Sequence, residues 1–173
     1  KYYDYLEVQP LENNKQLLKD GKVKNLFSPK DMNSDFMSEI GYGALMGILK
    51  NYEVLNPFVT DSNDALNRLV PGFEAPVCIV TSLGKNYEIP SRNRSVLIGL
   101  IRDIDNPLAT RFELRAPNPL SNTYLVLASI YQAVVDGIKA VAVSNLDSKE
   151  LEKEIVNDDE ICNYIKDKIF DIK

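Results

Sequence analysis

The sequence predicts an α+β fold, because three strand-like segments follow one another between two helical segments. Residues 75–81, 93–101 and 110–116 contain strand-forming residues and are separated by polar or proline-containing turns. On either side, residues 36–54 and 121–143 carry apolar residues at helical spacing. Strands that are grouped between helices, rather than alternating regularly with them, are typical of the α+β class.

The composition is that of a soluble globular protein with one domain, or of part of a larger one. The 173 residues are 45% hydrophobic and 26% charged, and the net charge is -5. This negative balance disfavours DNA or RNA as a partner, because nucleic-acid phosphates bind to basic faces. No apolar run reaches the roughly 18 residues that a membrane span requires, so we expect no membrane partner.

Cysteine and histidine usage narrows the chemistry further. Cys78 and Cys162 are the two cysteines, which give no disulfide framework, so we expect a reduced, cytoplasmic setting. The sequence contains no histidine. Catalytic triads and metal sites that depend on histidine are therefore excluded within this chain.

The first helix has a predicted start and a predicted end. Ser34 or Asp35 can cap a helix that begins near Phe36. The helix is expected to end near residues 55–57, because the residue before a proline disfavours helical geometry. Three glycines weaken this helix but permit a close approach to a neighbouring element: Gly41, Gly43 and Gly47.

The second half of the chain is predicted to be helical after the strands. The helix at residues 121–143 is apolar almost all round, so it is expected to be largely buried. Asp147 and Glu150 have the spacing of a capping box, which predicts a short helix through Ile155. A last short helix is expected at residues 161–169.

All six arginines lie between residues 68 and 115, where Lys85 is the one lysine. A guanidinium group is a planar fork that fits carboxylates and phosphates. This segregation therefore indicates an anion-binding centre, although a set of surface ion pairs is the alternative that composition leaves open. The six are Arg68, Arg92, Arg94, Arg102, Arg111 and Arg115.

The third predicted strand carries a row of charges on one face. Alternate side chains of a strand share a face, so Arg111, Glu113 and Arg115 should point one way and Phe112 and Leu114 the other. If the charged face lines a cleft, its carboxylate can hold a divalent cation and its arginines can hold phosphate or carboxylate. An exposed sheet face with mutual ion pairs is the alternative.

Two further groups of charges lie next to predicted loops. Arg92 and Arg94 project to one side where their strand begins, which is a common place for ligand-binding residues. Arg68 and Glu74 flank a bend at residues 71–72. A carboxylate on such a loop can act as a general base or hold an ammonium ion, and the alternative is a solvated loop glutamate.

Four blocks of sequence, in a fixed order, carry a resemblance to the glutamine synthetase family. Residues 67–77 read NRLVPGFEAPV, residues 92–95 read RNRS, and residues 110–117 read TRFELRAP. The fourth block runs from Pro119 to Ile138. The chain resembles the C-terminal part of the catalytic domain of that family, of the long bacterial type, because residues 84–90 look like an insertion.

The resemblance implies a fold, a domain layout and a reaction. The fold would be an antiparallel sheet packed against helices, carried by residues 22–145, with residues 1–21 as an N-terminal segment and residues 146–173 as a helical tail. The reaction would be ATP-dependent ligation of glutamate and ammonia through γ-glutamyl phosphate. ATP would be the co-substrate with Mg²⁺ or Mn²⁺, and the intact enzyme would assemble as a homo-oligomeric ring.

Roles follow from the resemblance at six positions. Arg68 and Arg115 would bind the substrate, and Glu74 would close over the site and take a proton from ammonium. Arg94 would contact the transferring phosphoryl group, and Arg111 would lie at the nucleotide. Glu113 would bind the metal at the ATP phosphates. Cations around developing negative charge are what phosphoryl transfer requires.

The chain also departs from the family pattern. The family has an arginine where this chain has Gly99, and Arg102 is a candidate substitute at a different spacing. The family's other metal ligands lie upstream of the segments present here, so we expect the isolated chain to be inactive. Two alternatives stay open: a noncatalytic domain that binds an anion or nucleotide, and a γ-glutamyl-amine ligase.

Overall fold

The computed structural model describes residues 24–60, 78–84, 86–89 and 96–155. The helix predicted at residues 161–169 lies outside this part. Three helices and three strands follow one another in it, and they confirm the predicted α+β class. In chain order these are α1 (Glu39–Val59), β1 (Cys78–Ser82), β2 (Val96–Asp103), β3 (Asn106–Leu114), α2 (Thr123–Ser144) and α3 (Ser148–Glu154).

The sheet is mixed, with the strand order β1-β2-β3. β2 and β3 pair antiparallel, as the resemblance implied, but β1 and β2 pair parallel. The difference follows from the connections. A tight turn at residues 104–105 joins β2 to β3, whereas a parallel pair needs a connection of about a dozen residues, which is the length available between Ser82 and Val96.

The turn between β2 and β3 is shorter than predicted, and both strands extend into the segment that was expected to be a loop. The Asp103 carboxylate closes the turn by accepting a hydrogen bond from the Asp105 N–H at 3.0 Å. Pro107 lies inside β3. A proline is compatible with a strand at the edge of a sheet, where one side needs no ladder hydrogen bonds, and β3 is an edge of the described sheet.

Helix α1 begins and ends later than predicted. Ser38, and not Ser34 or Asp35, is the N-cap, and its Oγ accepts a hydrogen bond from the Gly41 N–H at 3.1 Å. The helix continues past Pro57 to Val59 because the ladder resumes there, with the Thr60 N–H donating to the Asn56 carbonyl at 2.8 Å. Pro57 in the last turn therefore removes one hydrogen bond without ending the helix.

Two of the three glycines of α1, Gly43 and Gly47, bring α1 and α2 into backbone contact. A Cβ built on Gly47 would lie 2.9 Å from the Gly137 Cα and would collide with the Ala133 carbonyl oxygen. A Cβ on Gly43 would lie 3.0 Å from the Ile138 Cα. The crossing of the two helices therefore depends on the absence of side chains at these positions.

A continuous hydrophobic core joins the helices to one face of the sheet. Leu45 and Ile48 of α1 pack in the same buried cluster as Ile98 and Leu100 of β2. Phe112 and Leu114 of β3 are partly buried against this cluster. The alternation predicted for β3 is therefore confirmed, because its apolar side chains face the core.

Helix α2 is less buried than its composition predicted. Its buried residues are Val126, Ala133 and Gly137, which form the stripe that contacts α1. The prediction of a largely buried helix was wrong, because among the described residues only one side of α2 packs against the core, where Ile130, Val134 and Val141 are partly buried beside this stripe. Its large exposed apolar residues are Tyr124, Leu125, Tyr131, Val135 and Val143.

By length and average composition, α2 alone among the described helices could cross a membrane. No membrane partner was expected from the sequence because it contains no uninterrupted apolar run of sufficient length. In α2, Asp136 and Lys139 interrupt the apolar run. One helix that meets a criterion of length and composition is weak evidence for a membrane partner.

A polar cluster fastens α3 to the rest of the fold. The predicted capping box is confirmed, with the Asp147 side chain and the Glu150 side chain each accepting from the other's backbone N–H. Lys149 Nζ forms an ion pair with Asp35 Oδ1 at 3.1 Å and donates to the Tyr87 hydroxyl at 2.7 Å. It also contacts the Ser34 carbonyl. The cluster therefore joins α3 to two loops.

Replacing Lys149 with methionine is expected to lower the free energy of unfolding by at most about 1 kcal/mol, because its side chain is 46% exposed and solvent screens such pairs. Burial lowers the pKa of Lys149, but hydrogen bonds to Tyr87 and Asp35 outweigh this and the net shift is upward. The contribution is therefore complete below the pKa of an unfolded lysine and is lost as pH rises through the higher folded pKa.

Urea unfolding of the wild type and the Lys149→Met variant at neutral and alkaline pH measures this effect. We expect the difference between the two proteins to shrink as the pH is raised. Lys153→Met, at an exposed lysine of the same helix, is the control and should change stability less. A difference that is constant with pH would contradict a charged contact.

Candidate anion-binding site

The charged face of the sheet is formed by β3 together with β2. In the antiparallel register, Glu113 lies opposite Gly99 and Arg111 lies opposite Ile101. Directly opposed residues share a face, and alternate residues of a strand do so too. Arg111, Glu113 and Arg115 therefore line one face, with Gly99 beneath them, as the alternation predicted.

Contacts from the segment before α1 hold β3 in place. The Asn25 side-chain amide donates to the Thr110 carbonyl at 2.6 Å and to the Leu108 carbonyl at 3.1 Å. The rings of Phe27 and Phe112 have centroids 4.8 Å apart on the core side. These contacts satisfy backbone acceptors of β3 and fix the strand that carries the charged row.

Arg115 is tightly held within the charged row. Its Nη2 and Nε lie 3.1 and 3.3 Å from Glu113 Oε2. The Arg115 side chain is 15% exposed, whereas that of Glu113 is 53% exposed. A Cβ built on Gly99 would lie 2.6 Å from Arg115 Nη2, so the guanidinium lies directly over the glycine.

Arg111 differs from Arg115 in its surroundings. It is exposed, and its Nη1 donates to the Ala109 carbonyl of the same strand at 3.1 Å. Residues two apart in a strand are separated by about 6–7 Å. The face thus combines one fixed guanidinium, one exposed guanidinium and one carboxylate, with a net charge of +1. Such a face can bind a carboxylate or a phosphate.

The metal role that the resemblance implied for Glu113 is not matched by the described residues. Among them, no three histidine, cysteine, aspartate or glutamate side chains lie together as possible ligands. Magnesium prefers six oxygen ligands, and Glu113 Oε2 is engaged by the Arg115 guanidinium. The described residues therefore do not by themselves fit a divalent cation.

Arg102 does not replace the arginine that the family has at position 99. Arg102 lies three positions after Gly99, and an odd shift along a strand places its side chain on the opposite, core face. It is 6% exposed, and its Nη1 and Nη2 donate to the carbonyls of Asp35 and Met32 at 2.9 and 2.5 Å. This candidate substitute was wrong, because Arg102 braces the loop before α1.

The other predicted site residues lie outside the described part of the chain. These are Arg68, Glu74 and Arg94, together with Arg92. Their roles as substrate-binding, catalytic and phosphoryl-contacting residues stay predictions. The structure brings together Arg111 and Glu113 of β3 and Arg115, which directly follows this strand, and does not test their distance from the rest.

Gly99 is a residue of this face whose part the sequence reasoning missed. From the sequence, Gly99 could be described only as a position where the family has an arginine. In the structure, the Arg115 guanidinium occupies the space that a side chain at this position would fill. A glycine inside a strand often marks a close approach by another group. That signal was readable from the sequence, but the identity of the approaching group required the strand register.

Comparison with known proteins agrees with the resemblance. The protein-family model for the glutamine synthetase catalytic domain matches residues 14–169 of this chain. Glutamine synthetase from Methylococcus capsulatus is 42% identical over 123 residues, which cover 71% of this chain and 24% of that protein. Glutamine synthetase from Pasteurella multocida is 38% identical over 125 residues, which cover 72% of this chain and 24% of that protein.

A solved structure gives the same result for the fold. The glutamine synthetase of Plasmodium falciparum, solved by cryo-electron microscopy, superposes with a TM-score of 0.58 at 32% identity, and the match covers 71% of this chain and 22% of that one. The chain thus spans about a quarter of the curated relatives it matches. The charged face, the α+β fold and these matches together show that the chain belongs to the glutamine synthetase catalytic-domain family.

Proposed function

We propose that this chain forms the arginine-bearing part of a glutamine synthetase active site, which joins glutamate and ammonia at the expense of ATP. The observation that carries the proposal is the row of Arg111, Glu113 and Arg115 on one sheet face. Oriented cations are the main requirement for stabilising a phosphoryl group in transfer. The relatives from Methylococcus capsulatus and Pasteurella multocida are glutamine synthetases, which supports the same chemistry.

The residues of the face have separate tasks in this proposal. Arg115, held by Glu113, presents a fixed fork to an oxygen of the substrate carboxylate or of phosphate. Arg111, which is exposed, meets the phosphates of the nucleotide. The resemblance adds Arg68, Arg94 and Glu74 as the other substrate, phosphoryl and proton-accepting groups.

The proposal covers a part of an enzyme and not a complete one. The chain spans about a quarter of its relatives, and the described residues do not fit a metal. We therefore propose that it binds oxyanions but does not turn over alone. The homo-oligomeric ring, Mg²⁺ or Mn²⁺ dependence and a cytoplasmic location belong to the proposal for the intact enzyme.

Calorimetric titration of the chain with ATP and with glutamate tests the proposed face. We expect Arg111→Gln to weaken ATP binding roughly tenfold or more, since a hydrogen bond to a charged group contributes about 1.5–3 kcal/mol. Lys139→Gln, at an exposed lysine of α2, is the matched control and should leave affinity unchanged. Equal weakening by both variants would contradict a specific site.

A coupled phosphate-release assay separates the alternatives. We expect binding without phosphate release when glutamate, ATP and ammonium are supplied to the isolated chain. Release with ammonium would show that the chain is active alone. Release only with a larger amine would support a γ-glutamyl-amine ligase. The same binding without release by a full-length protein containing this segment would support the noncatalytic alternative.

A further inference from the structure

Gly99 and Arg115 form a contact across the two antiparallel strands. Gly99 of β2 lies opposite Glu113 of β3, and Arg115 comes two residues later on the same face. An ideal Cβ at position 99 would lie 2.6 Å from Nη2 of Arg115, 3.2 Å from its Cζ and 3.7 Å from its Nε. The guanidinium therefore lies across the backbone of β2, in the space that any side chain would fill.

Glu113 fixes the second side of the same guanidinium. Both Nε and Nη2 of Arg115 lie within 3.3 Å of Glu113 Oε2. The low exposure of the Arg115 side chain, 15%, shows that the group is packed and does not move freely in solvent. A glycine beneath it and a carboxylate beside it together define one orientation of the fork.

We propose that Gly99 is a positioning residue for Arg115, which sets the plane in which the guanidinium receives an oxyanion. The oxyanion function rests on the function proposed above. A fork that is already oriented loses less conformational entropy when it binds than a mobile one does. A side chain at position 99 and this placement of Arg115 exclude each other. The Arg115 guanidinium occupies the space above Gly99, and any residue with a Cβ at position 99 would force the guanidinium to another position.

The collision caused by a new Cβ falls on the end of a flexible side chain. The three nearest atoms all belong to the Arg115 guanidinium, and none to the backbone of β3. Gly99→Ala should therefore move the guanidinium and leave the strand pairing intact. Alanine at this position also removes the entropic disadvantage of glycine in a strand. The variant can thus separate the position of Arg115 from the integrity of the fold.

A double-mutant cycle on the 173-residue chain tests the inference, with Gly99→Ala, Arg115→Ala and both together. The probes are glutamate and inorganic phosphate, titrated separately by calorimetry so that the two sources of oxyanion are distinguished. We expect Gly99→Ala to weaken binding of at least one probe by about tenfold. In the Arg115→Ala background, the same change should alter affinity less than about twofold. Ile101→Val, on the same strand and face, is the control.

A second readout keeps the inference separate from the proposed function. The NMR signal of the Arg115 Nε–H reports the position of the guanidinium without any ligand, and we expect Gly99→Ala to shift it while Ile101→Val does not. An unshifted signal would overturn the positioning role. Binding that is weakened equally in both backgrounds would also overturn it. A wild-type chain that binds neither probe, with the signal still shifted by Gly99→Ala, would reject the proposed function and leave the positioning role standing.

Discussion

Replacing Gly137 with alanine is expected to destabilise the protein by about 3 kcal/mol or more, because it forces apart two helix backbones. A Cβ at this position would lie 2.7 Å from the Cα and N of Gly47 and would overlap the Gly43 carbonyl oxygen. These are backbone atoms of α1, so no rotamer change can relieve the collision. The sign is diagnostic, since glycine to alanine inside a helix ordinarily stabilises by about 1 kcal/mol.

Urea unfolding followed by circular dichroism measures the effect, and the reverse substitution on the same helix is the control. Ala140 is exposed, so Ala140→Gly should cost only the intrinsic propensity difference of about 1 kcal/mol. We expect the loss in Gly137→Ala to exceed that in Ala140→Gly although the two changes are opposite in propensity. A gain in stability for Gly137→Ala would show that α1 and α2 do not cross at these glycines.

Local features of the fold were predictable where one short pattern decides them. The capping box at Asp147 and Glu150 is such a pattern, and so is the strand alternation at residues 111–115. The glycines of α1 indicated close packing, which Gly43 and Gly47 show. In each case the deciding contacts lie within one element, or depend only on the absence of a side chain.

Features that depend on a distant partner were not predictable in the same way. The burial of α2 was overestimated because hydrophobicity does not say how many faces of a helix have a packing partner. The cap of α1 is Ser38, whereas Ser34 and Asp35 contact Lys149 of α3, which is distant in sequence. The parallel pairing of β1 with β2 reflects chain connection, which no alternation pattern records.

The candidate site shows the same division. The row of Arg111, Glu113 and Arg115 follows from strand periodicity, and its place in a family follows from the ordered blocks. Which arginine is fixed and which is exposed does not follow from either, because the strand register sets it. The role of Gly99 could be inferred only from the structure, in which the Arg115 guanidinium lies over it.

The opposite faces of the sheet give arginine two different roles, which one pair of variants can separate. Arg102 is buried, and its fork donates to two backbone carbonyls, those of Asp35 and Met32. Lysine presents a single ammonium group that cannot reproduce this planar fork. Arg102→Lys is therefore expected to lower the free energy of unfolding by about 2–3 kcal/mol, because a buried charge loses part of its hydrogen bonding.

Arg111→Lys is the matched substitution on the opposite, exposed face. It should change the free energy of unfolding by less than about 0.5 kcal/mol, since it disturbs no buried contact, but it should weaken ATP binding. Arg102→Lys should have the opposite pattern. Its free energy of unfolding should fall, but its affinity for ATP should be unchanged when it is titrated without urea, at a temperature where the variant is folded. If Arg102→Lys instead lost affinity at unchanged stability, Arg102 would be a ligand-binding residue and the assignment of the two faces would be wrong. The pair therefore tests whether Arg102 on the core face stabilises the fold while Arg111 on the exposed face binds the ligand.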